Sequence, residues 1–381
     1  MSFASVSPHP TRVVLKLGTN VLRTEDGSLD EGKIRQFCAA IHQLKSEDKQ
    51  ILVVSSGAVA LGMKRLHIAH RPRALPALQM CAAVGQSILT ETWQSGFAPH
   101  GIHVAQVLLT GNDILHDSHN RIFGAFLDEV LGQDIVPIIN ENDSVSTDGF
   151  RLGDNDSLAA LMACRVRAQQ LWILSTVPGV FDHDNQLVSQ IDRIDSGIEQ
   201  LASGSTSDTS VGGMVTKIRA ARLATAFGCS VFIGSGMQPD IVTRIESRQA
   251  EGTYFKADQP SGKTRKRLTR KRWRVHFCDP EGCLYLDDGA VQAILREQRS
   301  LLASGIVELE GRFGKQSIVS LKDQQGREIA RGITSFDRDQ LEKIKGKRSD
   351  AIREMFPDIR RTEIVHRDGL VLMEHARDRT D

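Results

Sequence analysis

Short apolar segments alternate with longer segments of helical periodicity from residue 12 to about residue 245. The apolar segments cover residues 13–17, 51–54, 104–109, 135–139, 171–174 and 230–233. The helical segments cover residues 31–46, 75–96, 121–131, 157–163 and 214–227. Strands that alternate with helices form βαβ units, and nearly continuous apolar strands are buried on both faces. The pattern therefore predicts an α/β fold in which helices sandwich a mostly parallel sheet.

The pattern changes near residue 256. Downstream, short strand-like segments at 283–286, 305–310, 316–321 and 328–333 are separated by glycines. They predict a small β-rich module of about a hundred residues, and the sequence after about 337 is typical of a helix that gives way to a frayed, charged tail. We therefore expect an α/β domain at 1–258, a basic linker at 259–274, the β-rich module at 275–358 and a C-terminal tail at 359–381.

Length and composition are those of a soluble two-domain protein. The chain has 381 residues, of which 40% are hydrophobic and 25% charged, and its net charge is +1. This balance gives no global electrostatic case for nucleic acid or membrane. The N-terminus lacks the features of a signal peptide, and no apolar run is long enough to cross a bilayer, so we expect a cytoplasmic protein.

Cysteines occur at positions 38, 81, 164, 229, 278 and 283. They are scattered, mostly in apolar segments, and the last two have no second pair beside them. This pattern does not favour zinc, and it indicates reduced core thiols. We therefore expect no protein-held metal ion.

Two polar clusters bracket one loop. Residues 140–143 (Asn, Glu, Asn, Asp) end an apolar segment, and residues 154–156 (Asp, Asn, Asp) open a helical one. Such residues commonly form turns and helix caps. Two clusters together indicate more than capping, because strand ends that face helix starts are where open α/β sheets bind ligands.

Two lysines lie where a lysine is unfavourable. Lys16 lies inside the apolar segment VVLKLG, where it is costly unless it meets an anion or reaches solvent at a sheet edge. Lys217 follows Gly212 and Gly213 near a predicted helix start, where its charge opposes the helix dipole. A phosphate between the helix amides and this ammonium would remove the conflict, while the alternative is an exposed lysine that costs little.

Ser56 and Gly57 follow a third strand end and open another helix. Donors there suit a carboxylate or a phosphate, although a plain N-cap is nearly as good an interpretation. The chain lacks the P-loop, the dinucleotide-binding glycine pattern and the serine-hydrolase elbow. Separated lysines, glycine turns and carboxylates favour phosphoryl transfer, and a carboxylate acceptor, already ionised at neutral pH, needs no general base.

Several segments resemble glutamate 5-kinases, which have the amino-acid kinase fold. Over residues 12–250 they are VVLKLGTNVL, VVSSGAVALG, AVGQ, INENDSVS, LGDNDSLAALMA and GGMVTKIRAA, in the family's order and spacing. Over residues 275–355 the stretches LDDGAVQAIL, SLLASGI and GREIARG resemble the PUA domain that follows the kinase domain in many of these enzymes. The β-rich module is therefore identified as PUA-like.

The resemblance implies ATP-dependent phosphorylation of the γ-carboxylate of L-glutamate, with Mg²⁺, as the first step of proline biosynthesis. It implies that Lys16 contacts the transferring phosphoryl group, that Lys217 stabilises it and that Asp156 orients both lysines. The implied glutamate-binding residues are Ser56, Gly57, Asp143, Asn155 and Asn140. The implied ATP-binding residues are Lys16, Gly18, Ser175, Thr176, Val211, Gly212, Gly213, Met214, Val215, Thr216 and Lys217.

Two segments depart from the family pattern. Ser175 and Thr176 stand where the family usually has Thr-Asp, which puts contacts to the nucleotide base or ribose in doubt. The loop at 209–213 lacks one glycine and one hydroxyl of the usual Gly-Thr-Gly-Gly. Neither departure touches the lysines or the glutamate cluster, so we expect activity to survive.

The sequence leaves two alternative functions open. The chain could be another kinase of this fold, acting on N-acetylglutamate, aspartate or UMP, or it could bind RNA through the β-rich module and the basic run at 263–274, which holds eight Lys or Arg. A run of this length in a near-neutral chain is more often a solvated linker. The resemblance also implies a homo-oligomer (dimer or tetramer), proline feedback inhibition and glutamate-5-semialdehyde dehydrogenase as a partner.

Overall fold

The computed structural model describes residues 10–24, 26–110, 113, 117–145, 155–195, 197–198, 201, 211–258, 275, 280–297, 299–356, 359 and 362–373. The chain divides into two compact units, Met1–Pro260 and Ser261–Asp381. Within the described ranges, no helix is long and apolar enough to span a membrane.

The first unit contains a mostly parallel sheet. Its strands are β1 Thr11–Leu17, β2 Lys49–Ser55, β3 Val104–Leu109, β4 Val136–Glu141, β5 Gln170–Ser175, β6 Gln190–Ile191, β7 Ser230–Ser235 and β8 Gly252–Phe255. They lie in the order β3-β4-β2-β1-β5-β7-β8-β6. Neighbours from β3 to β7 are parallel, whereas β8 runs antiparallel to β7. The predicted α/β class and the six predicted strands of this unit are confirmed.

Helices cover both faces of the sheet. They are α1 Glu31–Ser46, α2 Ala58–Arg65, α3 Leu75–Phe97, α4 Asp117–Gly132, α5 Asn155–Arg165, α6 Val211–Ala226 and α7 Ile241–Glu246. On one face, Leu15 of β1 packs in a core with Phe37 of α1, Trp93 of α3 and Ile245 of α7. On the other face, α5 contacts β1, β2, β4 and β5. Alternate strand residues are therefore buried on opposite sides, which is why these strands are apolar throughout.

The parallel arrangement brings separate chain segments to one edge. Leu17, Ser55, Glu141 and Ser175 end four strands whose directions are the same. Loops that leave these strand ends must therefore start close together, at the edge where open α/β sheets bind ligands.

The start of α2 is held by close contact with α3. A Cβ atom added to Gly62 would lie 1.8 Å from the carbonyl oxygen of Cys81, and one added to Gly85 would lie 1.8 Å from that of Ala58. Both neighbours are backbone atoms, so no rotamer change relieves the overlap. These glycines let the two helix backbones meet and so fix the position of the β2–α2 turn.

We expect Gly62→Ala to lower the free energy of unfolding by about 1–3 kcal/mol, because the helices must move apart to admit the methyl group. Gly132→Ala is the matched control, since a Cβ atom at this position in α4 meets nothing within 4 Å. Alanine favours helix, so the control should be neutral or slightly stabilising. Thermal unfolding followed by circular dichroism compares them, and equal midpoints for both variants would contradict the close packing.

The second unit is a β-rich module, as the sequence predicts. Its strands are β9 Gly282–Leu286, β10 Leu301–Leu302, β11 Ile306–Gly311, β12 Ile318–Lys322, β13 Glu328–Thr334 and β14 Glu363–Leu372, and its helices are α8 Asp288–Leu295, α9 Arg338–Ile344 and α10 Ser349–Met355. The strands form one sheet in the order β10-β14-β13-β12-β9-β11. Leu284, Val319 and Leu321 are fully buried in its core.

The predicted tail boundary at 359 is too early. Strand β14 pairs antiparallel with β13 and with β10, so residues 363–372 belong to the sheet. Ile364 and Val365 are fully buried, but the polar residues that follow them obscure the strand pattern in the sequence. The predicted basic linker at 259–274 lies outside the described residues.

Candidate active site

A carboxylate bridges two buried lysines at the carboxyl edge of the first sheet. Lys16 Nζ lies 2.5 Å from Asp156 Oδ1, and Lys217 Nζ lies 3.0 Å from Asp156 Oδ2. The three residues are 7%, 2% and 8% exposed in the order Lys16, Asp156 and Lys217. Burying an unpaired charge is costly, so the Asp156 carboxylate stabilises both buried ammonium groups by pairing with them. The cluster keeps a net charge of +1, which favours the binding of an anion.

Each member is placed by a different element. Lys16 is the penultimate residue of β1, and Asp156 is the second residue of α5, where the helix dipole favours a negative charge. Lys217 lies in the second turn of α6, and its Nζ reaches back to donate to the carbonyl oxygen of Gly213 at 3.2 Å. The sequence places the positive charge of Lys217 unfavourably near a helix start. In the structure, the Asp156 carboxylate is one anion that compensates this charge.

Competing effects act on the pKa of Asp156. Burial alone would raise it, but the charges of Lys16 and Lys217 and their hydrogen bonds outweigh burial and lower the pKa below its usual value. The carboxylate is therefore ionised at neutral pH. It acts as a fixed acceptor that holds both ammonium groups, and it is not suited to act as a general base.

A chain of side-chain amides leads away from this cluster. Asn155, next to Asp156, donates from Nδ2 to Ser56 Oγ at 2.6 Å and to Asn140 Oδ1 at 2.9 Å. Asn140 in turn donates from Nδ2 to Gln86 Oε1 at 2.9 Å. The structure thus brings together Ser56, Asn140 and Asn155, three of the residues that the sequence singles out.

The amide chain ends at a cavity of about 250 Å³. Its lining residues are Ala58, Ala82, Ala83, Gln86, Ser87, Gln106, Leu108, Glu141, Asn142, Asp143 and Ser144. Asp143 therefore lies in the cavity wall, whereas Ser56 and Asn155 lie between the cavity and the lysine cluster in the hydrogen-bond chain. The wall carries acids, amides and small apolar side chains, which suits a small zwitterion.

The turn between β2 and α2 requires Gly57. Its φ of +112° is a conformation that residues with a side chain rarely adopt, and an added Cβ atom would lie 3.3 Å from Thr19 Cγ2. Before it, Ser55 is fully buried and accepts a hydrogen bond on Oγ from Trp93 Nε1 at 3.1 Å. These contacts fix the backbone on which Ser56 stands.

The residues expected at ATP lie at the neighbouring strand ends. Gly18 donates its N–H to Leu174 O at 2.9 Å, and a Cβ atom at Gly18 would lie 3.8 Å from Lys16 Nζ. Ser175 ends β5 beside Gly18, and Thr176 is exposed just beyond it. The glycine therefore leaves room above the lysine, which a phosphate needs.

Helix α6 supplies the remaining expected ATP residues. Gly213 is exposed, Thr216 Oγ1 donates to Gly213 O at 3.0 Å, and Met214 and Val215 are half-buried. Val211 and Gly212 belong to the helix backbone, but their surroundings, like residues 202–210 and 146–154, lie outside the described part.

Gln86 is the one residue of the amide chain for which the sequence predicts no role. It lies within AVGQ, one of the segments that carry the family resemblance. No signal in the sequence singles it out, because only the structure shows that this polar residue is 7% exposed on a helix packed against the sheet.

Comparison with known proteins gives matches over both units. The family model "Amino acid kinase family" matches residues 11–235, and the model "PUA domain" matches residues 282–356. A glutamate 5-kinase of Dehalococcoides mccartyi is 38% identical over 371 residues, which are 95% of this chain and 98% of that protein. Glutamate 5-kinases of Streptomyces coelicolor and Acinetobacter baumannii are also 38% identical, over 95% of this chain and 96% of each relative.

Proposed function

We propose, from the premise that this chain belongs to the amino acid kinase family and to its glutamate 5-kinases, that it transfers the γ-phosphoryl group of ATP to the side-chain carboxylate of L-glutamate. The product, glutamate 5-phosphate, is the first intermediate towards proline. The observation that carries the proposal is the pair of lysines, Lys16 and Lys217, that the Asp156 carboxylate bridges. This cluster is joined through Asn155 to a cavity with an acidic wall.

The two lysines supply the charge that phosphoryl transfer needs. The migrating phosphoryl group spreads negative charge over its oxygens, so catalysis depends on positioning and on neutralising that charge. Lys16 contacts the migrating group, and Lys217 stabilises it from the start of α6. Asp156 holds both ammonium groups in place before ATP arrives, so that the site is preorganised.

Glutamate lies between the cavity and the lysines. Asp143, in the cavity wall, meets the substrate ammonium group, which needs a negative partner. Ser56 and Asn155 hold the γ-carboxylate beside Asp156 and the lysines, because Asn155 adjoins Asp156 in the chain and bonds Ser56. The γ-carboxylate is ionised at neutral pH, so it attacks without a general base.

Mg²⁺ enters with the triphosphate in this proposal. Among the described residues there is no group of three side chains suited to hold a metal ion, and Asp156 is committed to two ammonium groups. This arrangement agrees with the usual behaviour of Mg²⁺, which is bound largely through substrate phosphates and water. The ion would neutralise phosphate charge there.

Finer assignments follow from the family alone. Assembly as a dimer or tetramer, transfer of the product to glutamate-5-semialdehyde dehydrogenase, a cytoplasmic location and inhibition by proline stay predictions. The relatives' names favour glutamate over the other acceptors considered, since the similarity spans nearly the whole chain. The alternative of RNA binding depends on the β-rich module and on the basic run at 263–274, and that run lies outside the described residues.

An assay that traps the acyl phosphate tests the proposed activity. With ATP, Mg²⁺ and hydroxylamine, L-glutamate should yield γ-glutamyl hydroxamate, whereas N-acetyl-L-glutamate should yield little product. Acetylation removes the ammonium charge that Asp143 is proposed to meet, and losing a charged hydrogen bond costs about 1.5–3 kcal/mol, or roughly 10-fold to 150-fold in kcat/KM. Equal turnover of both acids, or no product from glutamate, would refute the assignment.

A further inference from the structure

Gln86 connects the cavity with the amide chain. It lies on α3, is 7% exposed and lines the cavity, while its Oε1 accepts from Asn140 Nδ2 at 2.9 Å. A buried glutamine at the junction of a cavity and a hydrogen-bond chain is costly unless both ends of its amide find partners. The amide oxygen has a partner in Asn140, so the amide nitrogen decides which ligand group Gln86 can bind.

The polarity of the amide chain follows from an acceptor at its far end. Asn155 Nδ2 lies 3.4 Å from the carbonyl oxygen of Ser55, and a carbonyl can only accept a hydrogen bond. The Asn155 nitrogen therefore points towards Ser55 and Asn140, and the same sense continues along the chain. At its end, Oε1 of Gln86 accepts from Asn140, so Nε2 is the amide atom with hydrogens to donate.

The Gln86 nitrogen is only partly satisfied. Nε2 carries two hydrogens, and within the described part of the chain its one hydrogen bond runs to Thr90 Oγ1 at the long distance of 3.4 Å. That leaves donor capacity on Gln86, a residue that lines the cavity together with the acids Glu141 and Asp143. An α-amino acid requires this combination, an acidic partner for its ammonium group and a donor for its α-carboxylate.

We propose that Gln86 determines specificity by donating from Nε2 to the α-carboxylate of the substrate. Its Oε1 simultaneously positions Asn140 and, through it, Asn155 at the γ-carboxylate. One amide therefore couples recognition of the α-carboxylate to placement of the reacting carboxylate. This inference rests on the proposed function, because it assigns an orientation to glutamate in that site.

An exchange of donor and acceptor tests this contact. Gln86→Glu keeps an oxygen for Asn140 but replaces the cavity-facing donor with a negative acceptor. The probe substrate is L-isoglutamine, which has a free γ-carboxylate and an α-carboxamide that can donate. We expect Gln86→Glu to lower kcat/KM for L-glutamate, and to lower the preference for L-glutamate over L-isoglutamine by about 10-fold or more, because the donor–acceptor match is reversed.

Gln106→Glu is the matched control. Gln106 lines the same cavity from β3, so the substitution adds the same charge without touching the Gln86–Asn140 bond. A general charge effect would change the preference between the two substrates equally in both variants. If Gln86 Nε2 contacts the α-carboxylate, this preference changes in Gln86→Glu but not in Gln106→Glu. The preference is measured within one protein sample, so a reduced folded fraction does not alter it.

Gln86→Met covers the case in which Gln86→Glu does not fold. It removes both hydrogen bonds without adding charge, and it should reduce the preference for L-glutamate over L-isoglutamine as well. An unchanged preference in the folded Gln86 variants, or an equal shift in Gln106→Glu, overturns this inference. If the unsubstituted protein fails to phosphorylate L-glutamate, the proposed function falls instead, so the two failures are distinguishable.

Discussion

Replacing Lys217 with alanine is expected to lower kcat by about 10²-fold to 10³-fold while the KM for glutamate changes little. The substitution removes one of the two ammonium groups from a buried site, and a preorganised charge contact that strengthens in the transition state has about this value. Because glutamate is proposed to bind through Asp143, Ser56 and Asn155, its ground-state affinity should survive. Steady-state kinetics with the hydroxamate assay separates kcat from KM.

Asp143→Ala provides the contrast for Lys217→Ala. It should mainly raise the KM for glutamate, because the carboxylate in the cavity wall is assigned to binding rather than to the migrating phosphoryl group. Lys45→Ala controls for the loss of a lysine, since the Lys45 side chain is also only 7% exposed and is paired, with Asp134, but lies at the last turn of α1. We expect near-normal kcat for that variant. If Lys217→Ala changed KM and Asp143→Ala changed kcat, both roles would be wrongly assigned.

Strand and helix positions in the first unit follow from the sequence because burial imposes a clear periodicity. Buried parallel strands are continuous apolar runs, and their ends are marked by polar or glycine residues such as Gly18 and Asn140. The sequence pattern does not predict strand β14, because its buried Ile364 and Val365 are separated from the rest of its apolar residues by His366 and Arg367. A local sequence pattern cannot predict strand pairing that depends on tertiary contacts.

The convergence of Lys16, Asp156 and Lys217 could be predicted only in part. Each segment shows that its residue type is locally unusual, and parallel strands place segment ends at one edge. Which atoms meet depends on the directions of side chains from residues 61 or more positions apart, and the resemblance, rather than the local pattern, implies that these atoms meet. Gln86 lay beyond this reasoning because its importance comes from Asn140, 54 residues away, and from a cavity that exists only once the helices pack.

Asp156→Asn is expected to lower kcat by more than 100-fold and to destabilise the protein by about 3–5 kcal/mol. The asparagine retains the shape of the carboxylate but leaves two buried ammonium groups without their shared counter-charge, and breaking a buried ion pair costs about this much. Asp134→Asn is the control, because Asp134 also pairs with a lysine but its side chain is 79% exposed, so its loss should have a small effect. Steady-state kinetics and denaturant unfolding measure the two effects.

The pH dependence of unfolding separates loss of this charge from a packing defect. The folded-state pKa of Asp156 is lowered, so its charge stabilises the protein at and above the unfolded-state value of 3.8, and this contribution disappears as pH falls through the lowered folded-state pKa. Asp156→Asn lacks this titration. The stability difference between the unsubstituted protein and the variant should therefore be largest near neutral pH and shrink in acid below pH 3.8. A difference that stays constant across that range would show that the bridging charge is not what stabilises the pair of lysines.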